Sequence, residues 1–250
     1  MDITVCVKRV PMVGGRVVVT ADGQDVDTRM SGFTVSPHEE CAVEEAVRIT
    51  EREGGRVTVL TLGPPEAAGQ LRDMLALGAH QATLLETDGR EWGPMATAAA
   101  IAGAVREQPC DLLLFGNEAA DTGGYQVGVR VAHALGRPVA TGIKKLTRTD
   151  AGFLASREYR GVQETFELPL PAVVSVKEGI NLPRYPSLPG RLRAKRATIE
   201  VSHPDWQPEG LRKQRLRVPE EARKRAEVLG SGVDAVPALV ALLDELGVLS

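Results

Sequence analysis

Over the first two thirds of the chain, apolar and polar positions alternate between two periods. Largely apolar stretches at residues 3–7, 56–62, 81–86 and 111–115, the last nearly continuous, predict buried strands. Between them, Ala42, Val43, Ala46, Val47 and Thr50 recur at helical spacing and give one core-facing stripe. That helix opens with Ser36 as N-cap, Pro37 at the first helical position and Glu39 completing a capping box, and Gly54-Gly55 ends it. Further helices are predicted over 66–77, 95–106 and 127–135, the first and last closed by Gly78 and Gly136. Residues 16–20 and 24–27, on either side of Asp22-Gly23, predict a small hairpin. The alternation indicates an α/β fold: a parallel sheet with helices on both faces.

The pattern then changes. Residues 143–149, 152–159 and 163–168 predict a β-meander, followed by a buried strand at 172–176. Next comes a segment too rich in proline for regular structure. Pro183, Pro186 and Pro189 recur every three residues with Tyr185 and Leu188 between them, and Arg184, Arg191, Arg193, Lys195 and Arg196 flank them. From the residues alone it is equally a docking surface or a connector. Residues 201–235 have no strong period and carry Arg212, Lys213, Arg215, Arg217, Arg223, Lys224 and Arg225. A last amphipathic helix, 236–246, puts Leu239, Leu242, Leu243 and Leu246 on one face, to pack on another chain or back on its own domain. The expected division is a domain at 1–200 and a C-terminal arm at 201–250 that packs on a partner subunit.

Composition narrows the function classes. The 250 residues suffice for one sizeable core, and 43% hydrophobic with 25% charged residues is ordinary for a globular chain. Only 4% are aromatic and the net charge is −3, which argues against a nucleic-acid binder. Cys6, Cys41 and Cys110 lie far apart and form no disulfide framework, so a reducing, cytoplasmic setting is expected. No apolar run reaches the about 20 residues of a membrane span.

The best candidate ligand site is the strand–loop–helix from Leu112 to Gly128, since ligands of parallel sheets sit beyond the carboxyl ends of strands. Gly123-Gly124 let backbone approach a phosphate, Asp121 can accept from ribose hydroxyls or cap the helix, and Gln126 can donate to a phosphate. No Gly-x-Gly-x-x-Gly and no Gly-Lys dipeptide occurs. His38, His80, His133 and His203 have no metal-ligand spacing, so no metal site is expected. Glu39, Glu40, Glu44 and Glu45 read as one solvated helix face. The chain reads as a binder rather than a catalyst.

Several ordered stretches together resemble the β subunit of electron-transfer flavoprotein, over roughly residues 2–200 and more weakly through the last helix. They are Val5-Cys-Val-Lys-Arg-Val-Pro11, Ser36-Pro37 with Ala42-Val-Glu-Glu-Ala-Val-Arg48, Gly63-Pro64, and Leu75-Ala-Leu-Gly-Ala79. Gly116-Asn-Glu-Ala-Ala-Asp121 with Gln126 and Gly128 follows, then Leu170-Pro-Ala-Val-Val174, Asn181-Leu-Pro-Arg-Tyr185 and Ala194-Lys195. The resemblance implies an adenine-nucleotide-hydrolase-like (Rossmann-like) domain and a non-enzymatic electron carrier. It implies a heterodimer with an α subunit that holds most of the FAD, and in this chain a structural AMP or, in bifurcating members, a second FAD. Acyl-CoA or related dehydrogenases are the implied donors and a quinone oxidoreductase the acceptor.

Carried over by position, the nucleotide contacts are Cys6, Ser36, Pro37, His38, Glu39, Leu62, Gly116, Asn117, Asp121, Thr122, Gly123, Gly124, Tyr125, Gln126 and Val127. Ile180, Asn181, Leu182, Pro183, Arg184 and Tyr185 fall where the family keeps its partner-docking loop, with Ile180 at the inserted apolar position. The chain departs from the family pattern at Ser36, in place of Asn, and at Thr122-Gly-Gly-Tyr125 within the nucleotide loop. An ATP-cleaving enzyme or a nucleotide-sensing protein on the same fold are the readings from other classes. The former needs a Ser-Gly-Gly-type loop after the first strand, where Val10-Pro-Met-Val-Gly-Gly15 stands instead.

Overall fold

The computed structural model describes residues 1–250 apart from 13, 15–16, 209, 211–212, 220–227 and 250. Strand β1 (Asp2–Cys6) leads through the short pair β2 (Val10–Pro11) and β3 (Phe33–Thr34) to helix α1 (Pro37–Glu53). Then follow β4 (Arg56–Gly63), a 3-10 turn (Pro65–Ala67), α2 (Ala68–Leu77), β5 (Gln81–Glu86), α3 (Pro94–Glu107), β6 (Leu112–Gly116) and α4 (Val127–Leu135). The remainder comprises β7 (Val139–Ile143), β8 (Lys145–Arg148), β9 (Gly152–Tyr159), β10 (Val162–Pro169), β11 (Ala172–Val176), α5 (Leu188–Arg196), β12 (Glu200–Ser202) and α6 (Val236–Glu245).

Seven strands form one parallel sheet in the order β12-β5-β4-β1-β6-β11-β7. Successive side chains alternate between its faces. Ile3, Val5, Leu112 and Leu114 join α1 and α2 in the main core, with Phe153, Ala155 and Leu168 from β9 and β10 added to it. Cys6, Leu113 and Phe115 face α3 and α4 on the other side. From β1 the chain steps outward to β4 and β5, then returns to the opposite side of β1 with β6. The connections after β1 and β6 therefore leave on opposite faces. This is the point at which a parallel sheet opens a crevice.

The expected alternation and the meander β8–β9–β10 are present. Val19 bridges Val26 and Thr20 N–H donates to Asp25 O, which makes a short hairpin; residue 16, its expected start, lies outside the described residues. Four expectations change. The strand expected at 143–149 is the shorter β8, while Ile143 ends β7, an unexpected strand that joins the main sheet with a register shift near Gly142 (φ +71°). The capping box is half made: Ser36 Oγ turns to Glu118 O at 3.4 Å and does not cap α1. The proline-rich stretch becomes helical at Leu188, where Ser187 Oγ accepts the Gly190 N–H at 3.1 Å and Pro189 occupies the first turn. β12 was not expected; it is three exposed residues paired only with β5. Of the basic residues at 201–235, Arg212, Arg223, Lys224 and Arg225 lie outside the described residues.

Helix α5 sits on the end of α2 through a close approach. A Cβ on Gly190 would stand 2.7 Å from the backbone oxygen of Ala76. Gly190→Ala should therefore lower stability by roughly 1–3 kcal/mol through overpacking, read as a fall in the urea midpoint with unchanged slope. An unchanged midpoint would mean that α5 is not seated this way.

Candidate functional site

The crevice lies at the carboxyl ends of β1, β4 and β6. Cys6 is in register with both Leu60 and Phe115, so Leu62 and Gly116 stand just beyond it on the same edge. Gly116 is where β6 touches the start of α1: a Cβ there would be 2.6 Å from Glu39 Cγ and 3.1 Å from His38 Cβ. Only glycine lets these elements meet. From this contact the loop to α4 runs over the crevice, and it is held by charges. Lys8 Nζ, from the segment after β1, pairs with Asp121 at 2.7 Å. His38 Nε2 faces Glu118 Oε1 at 3.3 Å. Tyr125 is exposed, and interaction with the Glu118 carboxylate pushes its phenol upward in pKa. Tyr125 adopts φ +55°, a left-handed conformation that is costly for a residue with a side chain.

Not every expected contact faces the opening. Cys6 is buried in the core under α3 and α4, where burial and then neighbouring Cys110 push its thiol upward. Val127 packs on that same core, and Asn117 N–H extends the ladder to Val176 O at 2.8 Å. Asp121 is an ion-pair partner of Lys8 rather than a helix cap, since α4 starts at Val127 with no side-chain cap. Gln126 Oε1 accepts from Arg130 at 2.9 Å, so a contact from Gln126 to an anion would be made by its amide N–H2. Thr122, Gly123 and Gly124 are exposed, Gly123 at φ +52° and Gly124 with open space where a Cβ would be. Bare amides, a lysine and a carboxylate at a switch point suit a ligand that is anionic at one end and carries hydroxyls. Sequence reasoning passed over Lys8 and did not single out Glu118 within its loop. Lys8 follows a central strand directly, and that position was the available signal.

Glu39, Glu40, Glu44 and Glu45 of α1 are not one solvated face. Glu39, Glu44 and Glu45 are 6%, 1% and 7% exposed. Glu39 accepts the Lys8 N–H at 2.9 Å, yet burial dominates and lifts its carboxyl from 4.5 to about 8. For Glu44, burial pulls upward, but hydrogen bonds from Arg184 and Arg48 overcome it and hold the carboxyl below its ordinary value. Arg184 gives Glu44 its Nε at 2.8 Å and its backbone N–H at 3.2 Å, and gives Glu51 its Nη1 at 2.6 Å. Asn181 Nδ2 reaches Glu45 at 2.9 Å, and Arg48 Nη2 reaches Leu182 O at 3.1 Å. The segment after β11 is thus stapled along α1. Two open clefts lie away from the crevice. One, of about 450 Å³, lies under the stapled segment and is lined by Glu51, His80, Arg184, Tyr185 and Arg193 among others. The other, of about 600 Å³, lies at the ends of β5 and β12 beside Trp206. Among the described residues no three or more His, Cys, Asp or Glu side chains are grouped to hold a metal, and no helix is long and apolar enough to cross a membrane.

Two measurements check these electrostatics. Between pH 4.5 and about 8 the folded chain keeps a proton on Glu39 that the unfolded chain releases, so this group makes stability fall as pH rises through that window. Glu39→Gln should remove the fall: its melting temperature, relative to the native chain, should rise from pH 5 to pH 8, and a constant difference would contradict the assignment. Arg184→Ala leaves Glu44 buried with one partner fewer and should cost roughly 1–3 kcal/mol in urea unfolding, after allowance for the partial exposure of the arginine. A cost within about 0.5 kcal/mol, the usual range for a surface change, would mean the staple is a surface pair.

The family model for the electron transfer flavoprotein domain matches residues 26–205. The electron transfer flavoprotein subunit beta of Bacillus subtilis is 38% identical over 170 residues, covering 67% of this chain and 66% of that protein. The subunit beta of Bradyrhizobium diazoefficiens is 35% identical over 202 residues, 80% of each. The mitochondrial subunit beta of Oryza sativa subsp. japonica is 33% identical over 242 residues, 94% of this chain and 95% of that protein. The match takes in β4 through β12, most of the crevice and the whole stapled segment. The chain belongs to the electron transfer flavoprotein family, as a β subunit.

Proposed function

We propose that this β subunit pairs with an FAD-bearing α subunit, binds an adenine nucleotide in the β1/β6 crevice, and presents the segment after β11 to partner dehydrogenases. The observation that carries the nucleotide reading is the switch point itself: the ends of β1 and β6, with Lys8, Asp121 and the bare backbone at Gly123-Gly124, on one edge. Ser36 to Glu39, Leu62 and the loop from Gly116 to Val127 border it, with Cys6 and Val127 contributing through backbone or packing. An AMP held there supplies no redox chemistry and braces the loops, whereas a second FAD adds an electron site. Tyr125, in the loop where AMP-binding members carry a smaller polar residue, keeps both nucleotides in play.

The docking reading shifts within its own segment. Ile180 is half-buried and packs on the main core. Leu182, Tyr185 and Leu188 are 82%, 93% and 72% exposed on a segment whose backbone is fixed to α1. Rigid, exposed apolar side chains are what a small transient interface needs. Helix α6 supports subunit pairing: Leu239, Val240, Leu242 and Leu246 are exposed and none of its residues is buried. Donors of the acyl-CoA dehydrogenase type and a quinone oxidoreductase acceptor belong to this same reading.

Extraction of the purified heterodimer and mass analysis of the extract tests the crevice. One equivalent of AMP, or of FAD beyond that of the α subunit, is expected, and an empty extract would refute the nucleotide reading. For docking, Tyr185→Ala and Leu182→Ala should each lower kcat/KM with a partner dehydrogenase roughly tenfold without lowering the melting temperature. Ile180→Ala should instead act on stability. Unchanged kcat/KM in both exposed-site variants would move docking elsewhere.

A further inference from the structure

His38 stands between the two surfaces just described. The Glu178 N–H donates to its Nδ1 at 3.0 Å, and its Nε2 faces Glu118 Oε1 at 3.3 Å. With Nδ1 acting as acceptor, the neutral ring carries its proton on Nε2, the atom that lies beside the Glu118 carboxylate. Glu118 is also tied to the start of α1 through its backbone oxygen, which takes Ser36 Oγ at 3.4 Å, and its carboxylate bears on the Tyr125 phenol. Glu178 precedes Gly179, whose φ of +88° turns the chain out of β11 toward the exposed segment. One imidazole therefore touches the crevice loop on one side and the start of the docking segment on the other.

The remaining staples do not make this connection. Asn181, Leu182 and Arg184 are bonded to Cys41, Glu44, Glu45, Arg48 and Glu51 along α1. Asn117 N–H to Val176 O also joins loop and strand, but as an extension of the parallel ladder. The contact that responds to Glu118 is the one through His38. Its chain position favours this: residue 38 lies in the first turn of α1, where the helix start is pressed against Gly116.

We infer that His38 is a positioning residue through which the crevice loop sets the order of the docking segment. A ligand that holds Glu118 and Tyr125 in place keeps the imidazole in place, and the imidazole keeps the Glu178 amide paired. The ligand part rests on the nucleotide reading above; the link between loop and segment does not. Coupling of this kind is a free energy shared by two sites, so it must appear in both directions.

Hydrogen exchange of the full chain, purified with its partner subunit, tests the link through the peptide spanning 177–182. Glu118→Gln keeps the loop side chain's shape and removes its charge; His38→Ala removes the ring. Each should speed exchange in that peptide about two- to tenfold, the size of one ordinary hydrogen bond, while amides in the middle of α1 stay protected. In the native protein, stripping the nucleotide should speed the same peptide and adding back AMP or FAD should slow it; in His38→Ala neither step should matter. Native exchange rates in Glu118→Gln, or a nucleotide response that persists in His38→Ala, would overturn the inference. An extract without nucleotide would remove the ligand part and the reading above it, and the Glu118→Gln arm would then decide the link alone.

Discussion

A carboxylate taken out of water must be paired or must keep its proton, and helix α1 buries three of them. Each meets the condition differently. Glu44 takes guanidinium groups from Arg48 and Arg184, Glu45 takes the Asn181 amide, and Glu39 holds its proton into the neutral range. The first two solutions draw in a segment distant in sequence, which explains why a proline-rich stretch is ordered at all. Pro183 and Pro186 have no N–H to give, so the segment can build few backbone hydrogen bonds of its own. Side chains of α1 at positions 41, 44, 45, 48 and 51 share one helical face and replace them. The rigidity of the proposed docking surface is thus a consequence of how α1 is desolvated.

The same helix begins at the crevice. Its first turn is pressed against Gly116, and its buried Glu39 carries no charge there over much of the physiological range. On the proposed nucleotide reading, a neutral carboxyl beside this loop avoids the repulsion that an ionised one would impose on a phosphate. Lys8 and Asp121 then set the local charge at the opening, as a pair that a ligand can loosen or share. One helix therefore joins two tasks, with its start shaping the crevice and its middle fixing the segment after β11.

Much of the fold was legible because it is written in period. The runs at 56–62 and 111–115 and the stripe from Ala42 to Thr50 are core positions, as their spacing requires. What escaped was decided by tertiary contact. Glu39, Glu40, Glu44 and Glu45 have the composition of a solvated face, and only the arrival of Arg184 and Asn181 from 140 and 136 residues away makes burial of Glu44 and Glu45 tolerable. Ser36 has the right neighbours for a capping box, yet its hydroxyl finds Glu118 O across the crevice. The helix at Leu188 was masked by prolines, although Ser187 followed by Pro189 is itself a start signal. For the site, the loop from Gly116 to Val127 could be read from strand–loop–helix order, whereas Lys8 and Glu118 could not be ranked without knowing which strand ends adjoin.

The C-terminal arm obeys a different balance. α6 is ten residues long, a length at which an isolated helix is marginal in water, and every apolar side chain it carries remains at least partly exposed. The strands and helices up to β12 need no such help, since two clusters on opposite faces of the sheet bury their apolar positions. On the proposed reading the difference has a physical purpose. The nucleotide crevice and the docking segment must keep their geometry while partners come and go, so they rest on the self-sufficient sheet and on α1. Subunit pairing can be permanent, so the surface that serves it can be left incomplete until the partner supplies the missing apolar face.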